Sequence, residues 1–342
     1  MATDLETWLN LTKEEALDPA LPICDPHHHL WDTPQTRYLL DDLLQDLGGG
    51  HSVAATVFVE CMAMYRKNGP REMKPIGETE FVQGIAAQSA SGRYGPTAVA
   101  AGIVSFADLT LGDGAQPVLE AHIAASRNRF RGIRHATSWH VSPEIRNAHT
   151  KPTERLLLDA TFRKGFACLE KLGLSFDAWM YHCQLMDLAD LAKAFPNTVI
   201  ILDHVGGPLG IGPYAGKRTE VFEEWKKGIS AVAACPNVVV KLGGLTMPMC
   251  GFAWHKQAKP PTSAELVETT GPYYLYCIEK FGVNRCMFES NFPVDKASCS
   301  YTVLWNSFKR MTHDFSAAER VALFHDTAVR VYRLEENLLG EK

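Results

Sequence analysis

Eight short apolar segments alternate with longer amphipathic segments along the chain, and this alternation restricts the fold more than any other feature. Strands that alternate with helices form β-α-β units, whose strands lie parallel in one sheet. The segments are almost continuously apolar and β-branched, as expected for strands that are covered on both faces. Eight such units favour a closed barrel over an open sheet. The predicted strands are residues 23–29, 55–61, 99–106, 130–136, 175–181, 198–204, 238–245 and 286–292.

The predicted fold is therefore α/β, a (β/α)8 barrel that forms a single domain over residues 1–342, with residues 1–21 as an N-terminal extension. Barrels of this kind commonly exceed 250 residues as one domain. The last amphipathic segment, residues 316–334, is expected to be the closing helix. Ser316 would be its N-cap and Glu319 the capping-box partner.

Charge and composition exclude several classes of function. The formal net charge is −5, so a nucleic acid is a poor candidate for the partner. No apolar run reaches the roughly 18 residues that cross a bilayer, and the N-terminal residues do not resemble a secretory signal. The nine cysteines include no C-x-x-C pair and suit a reducing compartment. We expect a cytoplasmic protein that acts on a small molecule and involves neither nucleic acid nor membrane; a homo-oligomer remains open.

Histidines stand where three of the predicted strands end. His27 and His29 alternate along the first strand and share a face, whereas His28 points away. His182 and His204 end the fifth and sixth strands. Because the carboxyl ends of barrel strands form one mouth, where active sites lie, the four imidazoles on the shared side should converge there. Such a set can bind a divalent metal, with Zn²⁺ as the expected ion, or grip a substrate carbonyl directly without metal.

The end of the eighth strand suggests further catalytic residues. Asn291 occupies the strand end, where it can orient a water molecule or substrate but cannot accept a proton. Asp295 follows in the loop and is a candidate general base. Two alternatives remain open: Asp295 could instead cap the next helix, and an imidazole could instead be the base.

Two cationic side chains are predicted to bind the substrate. Lys241 lies within an apolar strand, and a lysine is almost never buried without a partner, so it faces either the site or a structural ion pair. Arg134, near the end of the fourth strand, offers a planar fork that suits a carboxylate. Glu60, at the end of the second strand, and Asp177, at the start of the fifth, are weaker candidates for the site. Glu289 shares a face with Asn291 but lies one layer deeper.

Two long connections follow predicted strands and should lie at the mouth. They cover residues 205–217 and 246–262. Long loops in this position are often lids over an active site. Trp254 in the second loop, and Trp31 just after the histidine pair, are therefore predicted to contact the substrate.

Together these residues resemble the amidohydrolase superfamily, and more narrowly the amidohydrolase-2 branch that contains sugar lactonases and 2-pyrone-4,6-dicarboxylate hydrolase. The resemblance extends from about residue 23 to 334. It implies a barrel that hydrolyses a cyclic ester, with the histidines binding a divalent metal or polarising the carbonyl. Family members usually carry an aspartate base where this chain has Asn291. The motifs are His27-x-His29, His182, Asp203-His204-x-Gly-Gly-Pro, Lys241-Leu-Gly-Gly and Ser290-Asn-Phe-Pro.

The sequence thus predicts a lactonase-type hydrolase acting on a small carboxylated or sugar-acid-like substrate. Two other functions remain open. A metal-dependent decarboxylase of the same superfamily would use a similar histidine set. A non-catalytic binding protein would have lost its base at Asn291.

Overall fold

Eight parallel strands form one sheet whose spatial order follows the chain. The computed structural model describes residues 2–34 and 36–334; residues 1, 35 and 335–342 of the predicted domain lie outside this description. Beyond the eighth strand, the chain returns to the first: His29 N–H donates to Phe292 O at 2.8 Å, and Asn291 N–H donates to His27 O at 2.9 Å. The predicted single-domain α/β barrel is confirmed. Its strands are β1 (Ile23–His28), β2 (Val53–Val59), β3 (Ala98–Ser105), β4 (Phe130–Arg134), β5 (Ser175–Ala178), β6 (Ile200–Leu202), β7 (Val238–Leu242) and β8 (Cys286–Phe288).

Helices follow the strands and cover the outside of the barrel. They are α1 (Ala2–Leu9), α2 (Leu40–Leu47), α3 (Ile76–Ser89), α4 (Ala115–Ala125), α5 (Ala160–Lys171), α6 (Leu185–Ala194), α7 (Arg218–Ala233), α8 (Ser263–Phe281), α9 (Tyr301–Met311), α10 (Ala317–Val321) and α11 (Thr327–Val331). Within the described residues, no helix combines the length and the apolar content that crossing a membrane requires. Two short strands, Trp31–Asp32 and Arg37–Tyr38, pair antiparallel just after β1.

The predicted closing helix has the expected start but is not continuous. Glu319 N–H donates to Ser316 Oγ at 3.3 Å, and Ser316 N–H donates to Glu319 Oε2 at 2.9 Å, so the capping box is confirmed. A π-helical turn, Ala322–Asp326, separates α10 from α11.

Several strands end earlier than predicted, and backbone conformation explains the error. The sixth strand was expected to reach His204 but ends at Leu202, because His204 and Val205 have φ angles of 53° and 48°. The eighth ends at Phe288 rather than Phe292, and Asn291 has a φ of 55°. At the ends of these two strands, left-handed residues turn the chain out of the extended conformation. The candidate site residues therefore lie on turns at the mouth.

The lower part of the barrel is packed with side chains. Inward residues of the strands, such as Val57, Ile201 and Met287, contact one another and are almost fully buried. Tyr332 and Leu334, at the C-terminal end of the described chain, join the same apolar cluster. Because side chains fill this end, the mouth is the place for a site.

The N-terminal extension binds the second mouth loop. The Trp8 indole N–H donates to Gln257 O at 2.9 Å, and the Thr12 hydroxyl donates to Pro260 O at 2.8 Å. Leu17 N–H donates to the Asn306 side chain at 2.8 Å. The extension therefore links the loop at 246–262 to α9.

Helix α5 approaches the turn after β3 so closely that it requires a glycine. A Cβ at Gly165 would lie 2.2 Å from the Leu109 carbonyl oxygen, whereas a Cβ at Gly84 in α3 would meet nothing within 4 Å. We expect Gly165→Ala to lower the free energy of unfolding by about 1–3 kcal/mol. Gly84→Ala should leave it unchanged or raise it by up to about 1 kcal/mol. Urea unfolding measures both, and equal effects would contradict this account of the packing.

Candidate active site

His27 lies at the centre of a buried polar cluster at the mouth. Its side chain, at the end of β1, is fully buried. Nδ1 lies 2.8 Å from Glu289 Oε2, and Nε2 lies 3.3 Å from Nη1 of Arg134. The imidazole is thus held between a carboxylate and a guanidinium. Burial and the nearby Lys241 ammonium lower the pKa of His27, which favours the neutral ring.

Glu289 joins His27 to His204. His204 Nδ1 lies 2.6 Å from Glu289 Oε1, and the His204 backbone N–H donates to the same oxygen at 3.1 Å. The rings of His27 and His204 lie 4.5 Å apart. The turn after β7 lies very close to both residues: a Cβ at Gly244 would lie 2.5 Å from His204, and one at Gly243 would lie 2.3 Å from Glu289. The glycine pair after Lys241-Leu thus leaves space for the cluster.

These three residues form a candidate metal centre. The ligand atoms of His27, His204 and Glu289 all lie within 4.8 Å of one another, and no other set of three such residues does so in the described part of the chain. Two imidazoles and one carboxylate match the ligands of catalytic zinc, which leaves a fourth position open. The residues present therefore fit a divalent ion.

Lys241 is fully buried and surrounded by polar groups. Its Nζ donates to Asp177 Oδ2 at 2.7 Å, and it lies 3.0 Å from Asp203 Oδ1 and 3.2 Å from His27 Nδ1. The structure thus explains how an apolar strand tolerates a lysine, because two carboxylates compensate its charge.

Arg134 is equally constrained. Its Nε donates to Glu60 Oε1 at 2.8 Å and its Nη2 to the Glu60 carbonyl at 2.7 Å, while Nη1 lies 3.3 Å from Asp203 Oδ2. His149, from the loop after β4, lies 3.3 Å from Glu60 Oε2 and is 24% exposed. Arg134 is 6% exposed, so its guanidinium is largely committed to these partners.

The cluster carries an excess of negative charge. Taken as ionised, the four carboxylates and two cations contribute 2 − 4 = −2, before any charge on the histidines. Burial tends to raise the pKa of Glu289, but His204 and His27 outweigh it and bring that pKa to about 2. For Asp203, Lys241 and His27 likewise outweigh burial and hold the pKa well below its usual value. A buried site of this charge is suited to a divalent cation.

His29 is beside the cluster, and His28 is not part of it. His29 Nδ1 donates to Val59 O at 2.8 Å, which leaves Nε2 as a free lone pair. Its ring lies 5.0 Å from that of His27 and stacks on Trp31 at 5.8 Å. His28 Nε2 instead lies 2.9 Å from Thr56 Oγ1, as expected for a residue that points away.

His182 lies in a different set of contacts from the other histidines. Leu209 N–H donates to its Nδ1 at 3.3 Å, its ring lies 5.0 Å from Tyr214, and its Nε2 lies 4.0 Å from Glu224. Burial, followed by the nearby His140, lowers its pKa to about 4. The structure therefore brings His27, His29 and His204 together but does not place His182 in the same cluster.

Asn291 and Asp295 contact each other beside His204. The Asn291 amide donates to Asp295 Oδ2 at 2.9 Å, and the Thr246 hydroxyl bonds to Asp295 Oδ1. The Asp295 side chain caps no helix, because Ser300 is the N-cap of α9. Burial raises the pKa of Asp295 to about 6, against the effect of these hydrogen bonds and of His204.

The two mouth loops contact each other. Gly210 N–H donates to Met249 O at 2.9 Å, and a Cβ at Gly210 would lie 2.2 Å from Cys250 O. Trp254 is 8% exposed and its ring stacks on Phe252 at 6.3 Å. The loops thus form one structure at the mouth.

The comparisons with known proteins agree with this architecture. A parallel barrel with imidazoles and carboxylates gathered at its mouth is characteristic of a class of barrel hydrolases. This chain belongs to the amidohydrolase family, whose model matches residues 24–334.

Three relatives illustrate the membership. The uncharacterised protein y4mH of Sinorhizobium fredii is 34% identical over 92% of this chain and 99% of its own length. The L-fucono-1,5-lactonase of Burkholderia multivorans is 25% identical over 91% of this chain and 96% of its own. A crystal structure of a Burkholderia multivorans amidohydrolase with bound zinc has a TM-score of 0.68 and 25% identity, covering 92% and 99% of the two chains.

Proposed function

We propose that this chain is a lactonase-type hydrolase that opens a small carboxylated or sugar-acid-like lactone with the help of a divalent ion, with zinc the first candidate. The observation that carries the proposal is the buried group of His27, His204 and Glu289 at the mouth. The similarity to an L-fucono-1,5-lactonase and to a zinc-bound amidohydrolase supports it.

The ion would be held by two imidazoles and one carboxylate. Bound there, it would polarise the lactone carbonyl and lower the pKa of the attacking water. His29 keeps Nε2 free beside His27 and would hydrogen-bond to the substrate or serve as a further ligand. His182, predicted as a ligand, lies among other contacts, so its proposed role is to contact the substrate.

Asp295 is the proposed general base. A carboxyl group with a pKa near 6 is largely ionised at neutral pH and is basic enough to accept a proton from water. The Asn291 amide holds one of its oxygens in place at 2.9 Å. Asn291 would thus orient the base that follows it four residues later.

Substrate contacts are assigned according to exposure. Arg134 retains slight exposure and would face a substrate carboxylate. Trp31 and Trp254 flank the mouth and would cover the ring of the substrate. Lys241 is fully buried among Asp177, Asp203 and His27, which supports a role in holding the cluster rather than in contacting substrate.

Metal content and activity test the proposal together. We expect purified protein to carry about one zinc ion per chain, since the site offers one set of ligands. A chelated sample should lose hydrolysis of a panel of sugar-acid and carboxylated lactones, followed by acid release, and added Zn²⁺ should restore it. His27→Asn should abolish binding of the ion, whereas His313→Asn, whose ring is 83% exposed, should not.

Other results would reject the proposal in recognisable ways. Release of carbon dioxide from carboxylic acids without ring opening would identify a decarboxylase. Intact zinc binding with no turnover of any lactone would favour a binding protein. Full lactonase activity in a zinc-free sample would support the hydrolase and reject the requirement for the ion.

A further inference from the structure

A tyrosine far along the chain reaches the cluster from below. Tyr332 follows α11 and is fully buried in the lower part of the barrel. Its hydroxyl donates to Asp177 Oδ2 at 2.7 Å, and Lys241 Nζ donates to the same oxygen at 2.7 Å. Lys241 Nζ also lies 5.5 Å from the centre of the Tyr332 ring. One carboxylate oxygen is thus shared between a tyrosine of the C-terminal segment and a lysine of β7.

We infer that Tyr332 is a positioning residue for the active site, acting through Asp177 and Lys241. The Lys241 ammonium contacts Asp177, Asp203 and His27, at 2.7, 3.0 and 3.2 Å. The tyrosine hydroxyl takes up part of the acceptor capacity of Asp177. Without that hydroxyl, the carboxylate attracts the ammonium more strongly, and Lys241 moves away from His27 and Asp203.

Because these residues are buried, loss of the Tyr332 hydroxyl should have a larger effect than loss of a hydroxyl at an exposed contact. Tyr332, Asp177, Lys241 and His27 are each 0% exposed, so water cannot replace the lost hydroxyl at low cost. Hydrogen-bonded partners that orient the ligands of a metal commonly change affinity or activity by roughly 10–100-fold when removed. A small displacement of Lys241 therefore reaches His27 directly.

The test compares two tyrosine-to-phenylalanine variants. Tyr332→Phe removes the hydroxyl bonded to Asp177; Tyr38→Phe removes one bonded to Asp46, also at 2.7 Å, in a nearly buried tyrosine without contact to Lys241. We expect Tyr332→Phe to lower kcat for lactone hydrolysis roughly tenfold with KM within about twofold. Tyr38→Phe should leave both constants unchanged.

The kinetic comparison rests on the proposed function, so a second readout that does not depend on activity is needed. Histidine-selective ¹⁵N labelling reports the ring nitrogens of metal-free protein, and the His27 signals are those absent from His27→Asn. Tyr332→Phe should shift them at a single pH, and Tyr38→Phe should not. If the wild type hydrolyses no lactone but these signals shift as expected, the proposed function fails and the inference about Tyr332 stands.

Three results would overturn the inference. They are unchanged His27 signals in Tyr332→Phe, equal shifts in both variants, and a kcat for Tyr332→Phe equal to that of the wild type. Melting curves establish that each variant is folded. Should Tyr332→Phe not fold, Asp177→Asn keeps an acceptor for both partners and removes the charge. It should shift the same His27 signals, and unchanged signals would again reject the inference.

Discussion

Replacing Glu289 by glutamine should reduce lactone hydrolysis by roughly 10³-fold, because the carboxylate joins both histidines of the proposed metal centre. Its two oxygens lie 2.8 Å from His27 Nδ1 and 2.6 Å from His204 Nδ1. With a pKa of about 2, Glu289 is fully ionised at neutral pH. Glutamine keeps the shape but removes the charge, so zinc content should fall together with kcat/KM.

Glu78 provides a matched control for this substitution. It is also fully buried, but burial, followed by repulsion from Glu60, raises its pKa to about 8. Glu78 is therefore mostly protonated at pH 7, and its Oε1 accepts from the N–H groups of Cys61 and Ala63 at 3.0 and 2.7 Å. Glutamine reproduces this neutral acceptor, so Glu78→Gln should retain activity within about twofold. Equal losses in the two variants, or activity retained in Glu289→Gln, would contradict the role of Glu289.

The fold could be predicted from the sequence because the apolar segments reflect the packing of the barrel, in which each strand is covered on both faces. Strands covered on both faces are mostly apolar, and all eight predicted segments overlap a strand. Their ends could not be located in this way, since His204 and Asn291 leave the strand conformation through left-handed backbone that apolar patterning does not report. Turns at the mouth also depend on hydrogen bonds between residues distant in the sequence, such as that from Asn291 N–H to His27 O.

The candidate site was predicted unevenly. Counting from strand ends found His27 and His29, which the alternation of strand residues places on one side, and His204, which reaches the cluster from a left-handed turn beyond its strand. It also selected His182, but which way a side chain points beyond the strand depends on the turn, and there His182 bonds to Leu209. Patterning cannot specify such a contact between two loops.

The acids of the cluster also carry a signal in the sequence. A lysine in an apolar strand was correctly taken to need a partner, and the same argument applies to Asp177 and Glu289, which are also fully buried. Asp203 directly precedes His204 in the sequence and is fully buried as well. In the structure Asp177 and Asp203 are the partners of Lys241, Glu60 and Asp203 are those of Arg134, and Glu289 contacts the two histidines. The pairing within this network cannot be read from the sequence, because its four carboxylates and two cations come from six different strands or strand ends.

The second large effect is expected at Asp295. Asp295→Asn should lower kcat by roughly 10²–10⁴-fold, the usual contribution of a general base. An asparagine fits the site: its carbonyl can accept from the Asn291 amide, and its amide can donate to the Thr246 hydroxyl. Loss of activity would then reflect loss of the base rather than of the local structure.

The dependence of kcat/KM on pH provides a second test of Asp295 as the base. A base must be deprotonated to act, so kcat/KM of the wild type should rise with pH through about 6 and level off above it. The residual activity of Asp295→Asn should lack this rise. Burial also raises the pKa of Asp25 to about 6, so Asp25→Asn is the control: it should keep a rise at the same pH, whatever its rate. A profile in which Asp25→Asn loses the rise and Asp295→Asn keeps it would assign the base elsewhere.

Stability should change in the opposite direction to activity. Because the pKa of Asp295 is raised from 3.8 to about 6, the folded state favours its protonated form. That contribution to stability is complete below pH 3.8 and is lost as the pH rises through about 6. Asparagine mimics the protonated form at every pH, so Asp295→Asn should exceed the wild type by up to about 3 kcal/mol at pH 8 and match it near the unfolded pKa. Urea unfolding at the two pH values measures the difference. A variant that is inactive but less stable than the wild type at pH 8 would show that Asp295 supports the fold and not the reaction.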